Sequence, residues 1–190
     1  MFAVIKKNII LHPQNSLEVN DLIEYKIPLK GLSSGEHYYQ YHITGKFFEA
    51  VQSDEEYRCD IDVDVALNVE SNLMVLNLKY KGTMTFPCDI CLDDYVYPTD
   101  FERRLVVKRG EEKSDDDDII YLSHSEHILD ISRIIFEDIV LNVPLRKVHP
   151  LDAQGHSTCN AEFLDLMEKY HNQKKPDHRW DALKDLKFDD

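Results

Sequence analysis

Cys59-Asp60-Ile61-Asp62-Val63-Asp64-Val65-Ala66-Leu67-Asn68-Val69 alternates apolar and polar residues almost without a break. Successive side chains of a pleated strand point to opposite faces. The pattern therefore buries Ile61, Val63, Val65 and Leu67 and wets Asp60, Asp62 and Asp64. Glu70-Ser71-Asn72 reads as a turn. The next run, Leu73 to Phe86, carries Val75, Leu76, Leu78, Tyr80, Met84 and Phe86, so an antiparallel hairpin is the simplest topology. Gly82 inside it marks either a bulge or a close backbone approach. Pro87 ends the run and delivers Cys88 to its tip.

Outward from this hairpin the strand signals continue. Asp21 to Leu29 alternates through Ile23, Tyr25 and Ile27. Tyr38, Tyr39, Tyr41, Ile43, Phe47 and Phe48 are aromatic and β-branched residues of the kind strands favour, and Gly31 and Gly35 punctuate the interval. Tyr95-Val96-Tyr97 and Phe101 to Val107 supply further short strands. Six or more short strands before residue 110 predict an antiparallel sheet curled on itself, barrel-like.

Residues 111–118 carry six acids and one base. Such a run has nothing to bury and reads as a mobile acidic loop. It lacks the glycine and distal glutamate of an EF-hand calcium loop.

The last third turns helical. Asp130 is a good N-cap for a helix through Ile131, Ile134, Ile135 and Ile139, with Arg133, Glu137 and Asp138 on the polar side and Pro144 as its stop. A loop runs to about residue 158. Asn160 caps a second helix through Phe163, Leu164, Met167 and Tyr170. Beyond Pro176, Trp180 to Leu186 forms a short terminal helix or turn. Strands followed by two to three helices make an α+β protein: one domain over 1–190, with a β-rich body 1–110 and a helical part 130–188.

Composition narrows the function. A formal net charge of −14 excludes a protein that coats nucleic acid by bulk attraction. The charge is uneven: residues 101–110 hold Arg103, Arg104, Lys108 and Arg109 against Glu102, and Arg146 and Lys147 form a second basic point. These six side chains are the RNA-binding candidates. The acidic stretches offer a different partner, a basic protein. No apolar run approaches the roughly 20 residues that cross a bilayer, and the first residues lack the order of a secretory signal, so a cytoplasmic location is expected.

In that compartment thiols stay reduced, which leaves metal binding or packing for four cysteines at 59, 88, 91 and 159. Cys88-Asp89-Ile90-Cys91 presents two sulfurs at one turn. With Cys159 and either His149 or His156 it makes four soft ligands suited to tetrahedral zinc. A thiol oxidoreductase using Cys88 and Cys91 is the enzymatic alternative, but the following Leu92-Asp93-Asp94-Tyr95 sets carboxylates against a thiolate and does not open a helix. Cys59 begins a strand on its apolar face and reads as core. His124 and His127 read as solvated, and Glu137 and Asp138, being adjacent, point to different faces of a helix. There is no phosphate-binding glycine loop and no nucleophile elbow, and no small-molecule substrate is expected.

The ordered set of motifs resembles a known family. A β-rich half leads through Gly82 into Cys88-Asp89-Ile90-Cys91-Leu92, and an acidic loop follows. Then come Asp130-Ile131-Ser132-Arg133-Ile134-Ile135-Phe136-Glu137-Asp138-Ile139-Val140-Leu141-Asn142-Val143-Pro144 and Val148-His149-Pro150. Cys159 and Asp177-His178-Arg179-Trp180-Asp181-Ala182-Leu183-Lys184-Asp185-Leu186 complete the order. This looks like the YceD family of bacterial and plastid proteins, over about residues 20 to 188. The resemblance implies a non-enzymatic role in the synthesis, processing or stability of 23S ribosomal RNA during large-subunit assembly. The implied partners are that RNA or a large-subunit precursor. It also implies His149 and Cys159 as the downstream partners of the cysteine pair. Many members carry a second C-x-x-C-like element there; this chain keeps only Cys159, with His149 or His156 as substitutes.

Overall fold

The structure, a computed structural model, describes residues 22–71, 73–110 and 116–172. The chain forms two compact units. The first comprises residues up to Phe86 together with Val96–Leu145; the second comprises Pro87–Tyr95 and Arg146 onward. The stretch Trp180 to Leu186 lies outside the described residues, as does the acidic run except Asp116, Asp117 and Asp118.

The first unit is built on a five-stranded sheet. Its strands are β2 (Gly35–Thr44), β3 (Arg58–Val69), β4 (Leu73–Pro87), β5 (Asp94–Arg109) and β6 (Ile119–Leu122), in that spatial order. A two-stranded ribbon pairs β1 (Lys26–Pro28) with β7 (Ile128–Asp130). The helices are α1 (Gly45–Ala50), α2 (Ser132–Leu141) and, in the second unit, α3 (Ala161–Asn172). The strand-rich half followed by helices is the α+β arrangement expected. The sheet is open among the described residues, with β2 and β6 at its edges, and does not close into a barrel.

The β3 alternation reads directly onto the structure. Ile61, Val63, Val65 and Leu67 are buried, and Asp60, Asp62 and Asp64 are exposed. Antiparallel pairing with β4 runs unbroken from Arg58↔Thr85 to Val69↔Met74, so no residue is bulged. Gly82 therefore serves the other purpose: a Cβ there would lie 2.1 Å from the Asp60 carbonyl oxygen. Only a residue without a side chain lets the two backbones approach this closely.

Several elements differ from the sequence reading. Phe47 and Phe48 belong to helix α1 and not to a strand; both are buried, and their rings meet edge to face at 5.5 Å. Ile23–Tyr25 is a 3₁₀ turn and leaves Ile23 exposed. The two short strands predicted over 95–107 are one, β5, running through Pro98. β6 pairs β5 only from Val106 to Arg109. At Pro98 one side of the strand is thus an open edge, where a missing N–H is tolerated. β6 runs parallel to β5, a departure from the all-antiparallel expectation, and β6 and β7 both follow residue 110, where the β-rich body was expected to end.

The inner face of the sheet carries the core. Tyr80 stacks on Phe101 at 4.3 Å, and an aromatic chain links Tyr41, Tyr25, Phe47, Phe48 and Tyr57. Ile131, Ile135 and Ile139 are fully buried, the stripe expected of an amphipathic helix. Each such side chain contributes on the order of 1.5–3 kcal/mol by leaving water. Asp138 is not on the polar side of α2: it is buried, and the Tyr80 hydroxyl donates to its Oδ2 at 2.7 Å. Lying three residues after Ile135, it shares that residue's inward face. Asp130 belongs to β7, yet its Oδ1 still accepts from the Ser132 backbone N–H and hydroxyl, so it satisfies the start of α2 from one residue further back than a cap. Glu137 forms an ion pair with Arg133 on the exposed side. Cys59 is half-buried, its thiol 3.7 Å from the Ile43 carbonyl oxygen, and burial pushes that thiol up to about 11. No helix among the described residues is long and apolar enough to cross a membrane.

Candidate metal centre

The second unit gathers three of the four cysteines. After Pro87 the chain turns tightly: the Cys88 N–H donates to Asp93 O at 2.9 Å, and the Leu92 N–H donates to Cys88 O at 2.9 Å. Closing this turn places Leu92 in the left-handed region, φ 64°. Both sulfurs then lie on one side, with the Ile90 N–H donating to Cys88 Sγ at 3.4 Å.

The 146–160 segment folds against this turn through two polar clasps. The Asp89 N–H donates to Lys147 O at 2.6 Å, and the Asp89 carboxylate accepts from the Lys147 N–H at 2.7 Å. The Asp93 carboxylate accepts from the Asn160 amide at 3.0 Å. Asn160 also caps α3, its Oδ1 accepting from the N–H groups of Glu162 and Phe163, as its position predicts. Sequence reading missed both clasps and took Asp93 only as a charge opposing a thiolate. The detectable signal was one Asx residue inside the cysteine pair, Asp89, and another two residues after it, Asp93.

Between the clasps, Cys88, Cys91, Cys159 and His149 present four ligand atoms within 4.8 Å of one another. Cys88 Sγ lies 3.7 Å from Cys159 Sγ, and His149 Nδ1 lies 3.5 Å from Cys91 Sγ and 3.8 Å from Cys159 Sγ. With Zn–S near 2.3 Å and Zn–N near 2.0–2.1 Å, a tetrahedral shell has S···S edges of about 3.8 Å and S···N edges of about 3.6 Å. The donor set fits zinc in kind, number and spacing. The three cysteines are buried, and the Tyr95 ring packs beside the His149 ring at 5.3 Å.

The electrostatics agree. Burial alone would push the Cys88 thiol up, but N–H donors from Cys91, Ile90 and His149 and the His149 ring outweigh it and bring it down to about 6. The Ser157 hydroxyl favours the Cys159 thiolate, but burial and the neighbouring sulfurs of Cys88 and Cys91 override it and raise Cys159.

His156 stands apart from this group. It is exposed, and its Nδ1 faces Asp152 at 3.3 Å inside a loop closed by Asp152 and Gly155. His124 and His127 are exposed and lie outside the group. The basic candidates are spread out as well. Strand alternation sends Arg103 and Arg109 to the side of Leu105 and Val107, and Arg104 and Lys108 to the opposite side. Arg103 is engaged by the Asp118 carboxylate at 3.0 Å and donates to Asp117 O; Arg109 donates to Glu126 O. Arg146 and Lys147 belong to the second unit.

No curated protein and no solved structure matches the chain. Residues 76–187 match the family described as large ribosomal RNA subunit accumulation protein YceD. The match begins within β4 and takes in the cysteine turn, α2, His149, Cys159 and α3, and the chain belongs to the YceD family.

Proposed function

We propose that the chain is a non-enzymatic factor in biogenesis of the large ribosomal subunit, acting by binding to support the synthesis, processing or stability of 23S ribosomal RNA. The family match over residues 76–187 carries this reading. The family's description fits a ribosome-biogenesis role. The location that follows is the cytoplasm.

In this reading Cys88, Cys91, His149 and Cys159 hold zinc as a structural clamp. Bound zinc would supply charge to stabilise the thiolates and would cross-link the cysteine turn to the 146–160 segment. The chain's own residues prepare that site: N–H donors lower the Cys88 thiol, and the Asp89 and Asp93 clasps hold the two segments together. With four protein donors in place, no position is left for a substrate or water, the mark of a structural site.

Of the RNA-binding candidates, Arg104 and Lys108 share one strand face, and Arg146 and Lys147 open the clamp segment. Arg103 and Arg109 are the weaker choices because each already donates within the fold.

The thiol oxidoreductase reading draws on the same lowered Cys88 thiol. Cys88 is fully buried, however, and a third thiol and an imidazole stand as close to the pair as its own members do. Measuring 23S relative to 16S ribosomal RNA in cells depleted of the chain tests the leading reading. A selective fall in 23S is expected; an unchanged ratio contradicts it.

A further inference from the structure

Helix α3 has little of its own to hold it. From Ala161 to His171 no side chain is buried, and only Phe163 and Leu164 are half-buried. The helix is 12 residues long. One that short is marginal in water and in a protein depends on a packed face, which α3 barely has. Among the described residues, its order therefore rests on the end at which it starts.

That end is tied to the metal centre. Cys159 is one of the four donors, and the next residue, Asn160, is the cap of α3. The Asn160 carbonyl accepts from the Leu164 N–H at 3.1 Å, closing the first turn of the helix. The Asn160 side-chain amide donates to the Asp93 carboxylate at 3.0 Å. Asp93 in turn closes the cysteine turn, its carbonyl accepting from the Cys88 N–H at 2.9 Å. The cap thus reaches the cysteine turn by two routes, through its chain neighbour Cys159 and through Asp93. Nucleation is the costly step of helix formation, and a fixed Asn160 lowers that cost by holding the first turn in place. A metal held by the four donors would fix Cys159, and with it Asn160, to the cysteine turn.

We propose that Asn160 and Asp93 couple the metal centre to α3, so that the helix is ordered when the four donors hold zinc and unwinds when they do not. The inference rests on the reading of Cys88, Cys91, His149 and Cys159 as a zinc clamp. It goes beyond that reading in giving the clamp a consequence: an exposed helix presented only by the metal-loaded chain. Coupling of this kind is reciprocal, so a chain that cannot anchor α3 also holds zinc less tightly.

The test is hydrogen exchange by mass spectrometry on the full chain under reducing conditions, with zinc bound and after its removal by a chelator. The zinc in each sample is counted by elemental analysis. Amides from Leu164 to Asn172 are expected to exchange at least about tenfold more slowly with zinc bound, while those of β3 and β4 exchange alike in both states. N160A leaves all four donors in place. It is expected to bind zinc yet lose most of that slowing, and to give up its metal to a competing chelator at least about fivefold more readily. D93A is expected to change in the same direction. D165A, on α3 but outside the anchor, serves as the control and is expected to keep the full zinc-dependent slowing. The proposal is overturned by a zinc-loaded chain whose α3 amides exchange as they do without metal, by N160A that keeps the parent's slowing, or by an equal loss in D165A. A chain that takes up no zinc overturns the clamp reading and this inference together, and the elemental count tells that case from the others.

Discussion

The Tyr80 hydroxyl donates to Asp138 Oδ2 at 2.7 Å, joining β4 to α2 across 58 residues of sequence inside the core of the first unit. Arg103 Nε approaches the other carboxylate oxygen at 3.9 Å. Tyr80→Phe leaves a buried carboxylate short of a donor, and a loss of about 1–3 kcal/mol is expected in urea denaturation. A loss below a few tenths would show that the bond adds little.

The same carboxylate sets a pH dependence. Burial raises the Asp138 carboxyl above its usual range, against the pull of the Tyr80 hydroxyl and Arg103. A carboxyl raised in the folded state contributes stability that is fully present below its unfolded value of about 3.9 and is lost as pH rises through the folded value. Asp138→Asn removes this contribution. Between pH 7 and pH 4 the parent should gain stability relative to the variant, measured as the difference of their unfolding free energies. A difference independent of pH, or one of opposite sign, refutes the assignment.

Gly82 faces the Asp60 carbonyl so closely that a methyl group has no room. Gly82→Ala must push β3 and β4 apart, and a loss of about 1–3 kcal/mol is expected. The Gly35→Ala variant tests the other kind of glycine: there a Cβ meets no atom within 4 Å, but φ is 124°, so its cost is conformational strain alone.

Leu92 holds a left-handed φ of 64° in the cysteine turn. Replacing it with glycine relieves about 1–2 kcal/mol of steric strain and returns part of that as unfolded-chain entropy. Leu92→Gly is expected to keep metal binding and to raise the thermal midpoint slightly. A lowered midpoint would mean that the leucine side chain packs in the folded protein.

The ligand set separates the two histidines. Elemental analysis of the purified chain is expected to give one zinc per chain, retained in His156→Ala and lost in His149→Ala and Cys159→Ser. Retention in His149→Ala with loss in His156→Ala would reverse the assignment. A reversible Cys88–Cys91 disulfide without metal would favour the redox reading.

What the sequence disclosed follows from how local each signal is. The β3–β4 hairpin was legible because alternation and turn chemistry lie within one contiguous stretch. The α2 stripe and the Asn160 cap were legible for the same reason. The pairing of β1 with β7 joins three-residue strands a hundred positions apart, Ile27 opposite Leu129, and strands that short carry no periodicity. Phe47 and Phe48 read as strand because aromatic composition favours it, while packing against Tyr25 and Tyr57 decided for helix. Asp138 misled because its hydroxyl partner sits on another element. At the metal centre, residue type alone disclosed the three thiols. Residue type and spacing left His149 and His156 open, and the family resemblance implied His149; the Asp89–Lys147 clasp beside it is contained in no spacing rule.

The central claim, that the chain acts on the large ribosomal subunit by binding, is tested most directly by co-sedimentation with large-subunit precursor particles through a sucrose gradient. The chain is expected to travel with the precursor fraction, and Arg104→Glu/Lys108→Glu/Arg146→Glu/Lys147→Glu is expected to shift it to the top. A parent chain that stays at the top of the gradient at low salt, where weak contacts survive, contradicts the account.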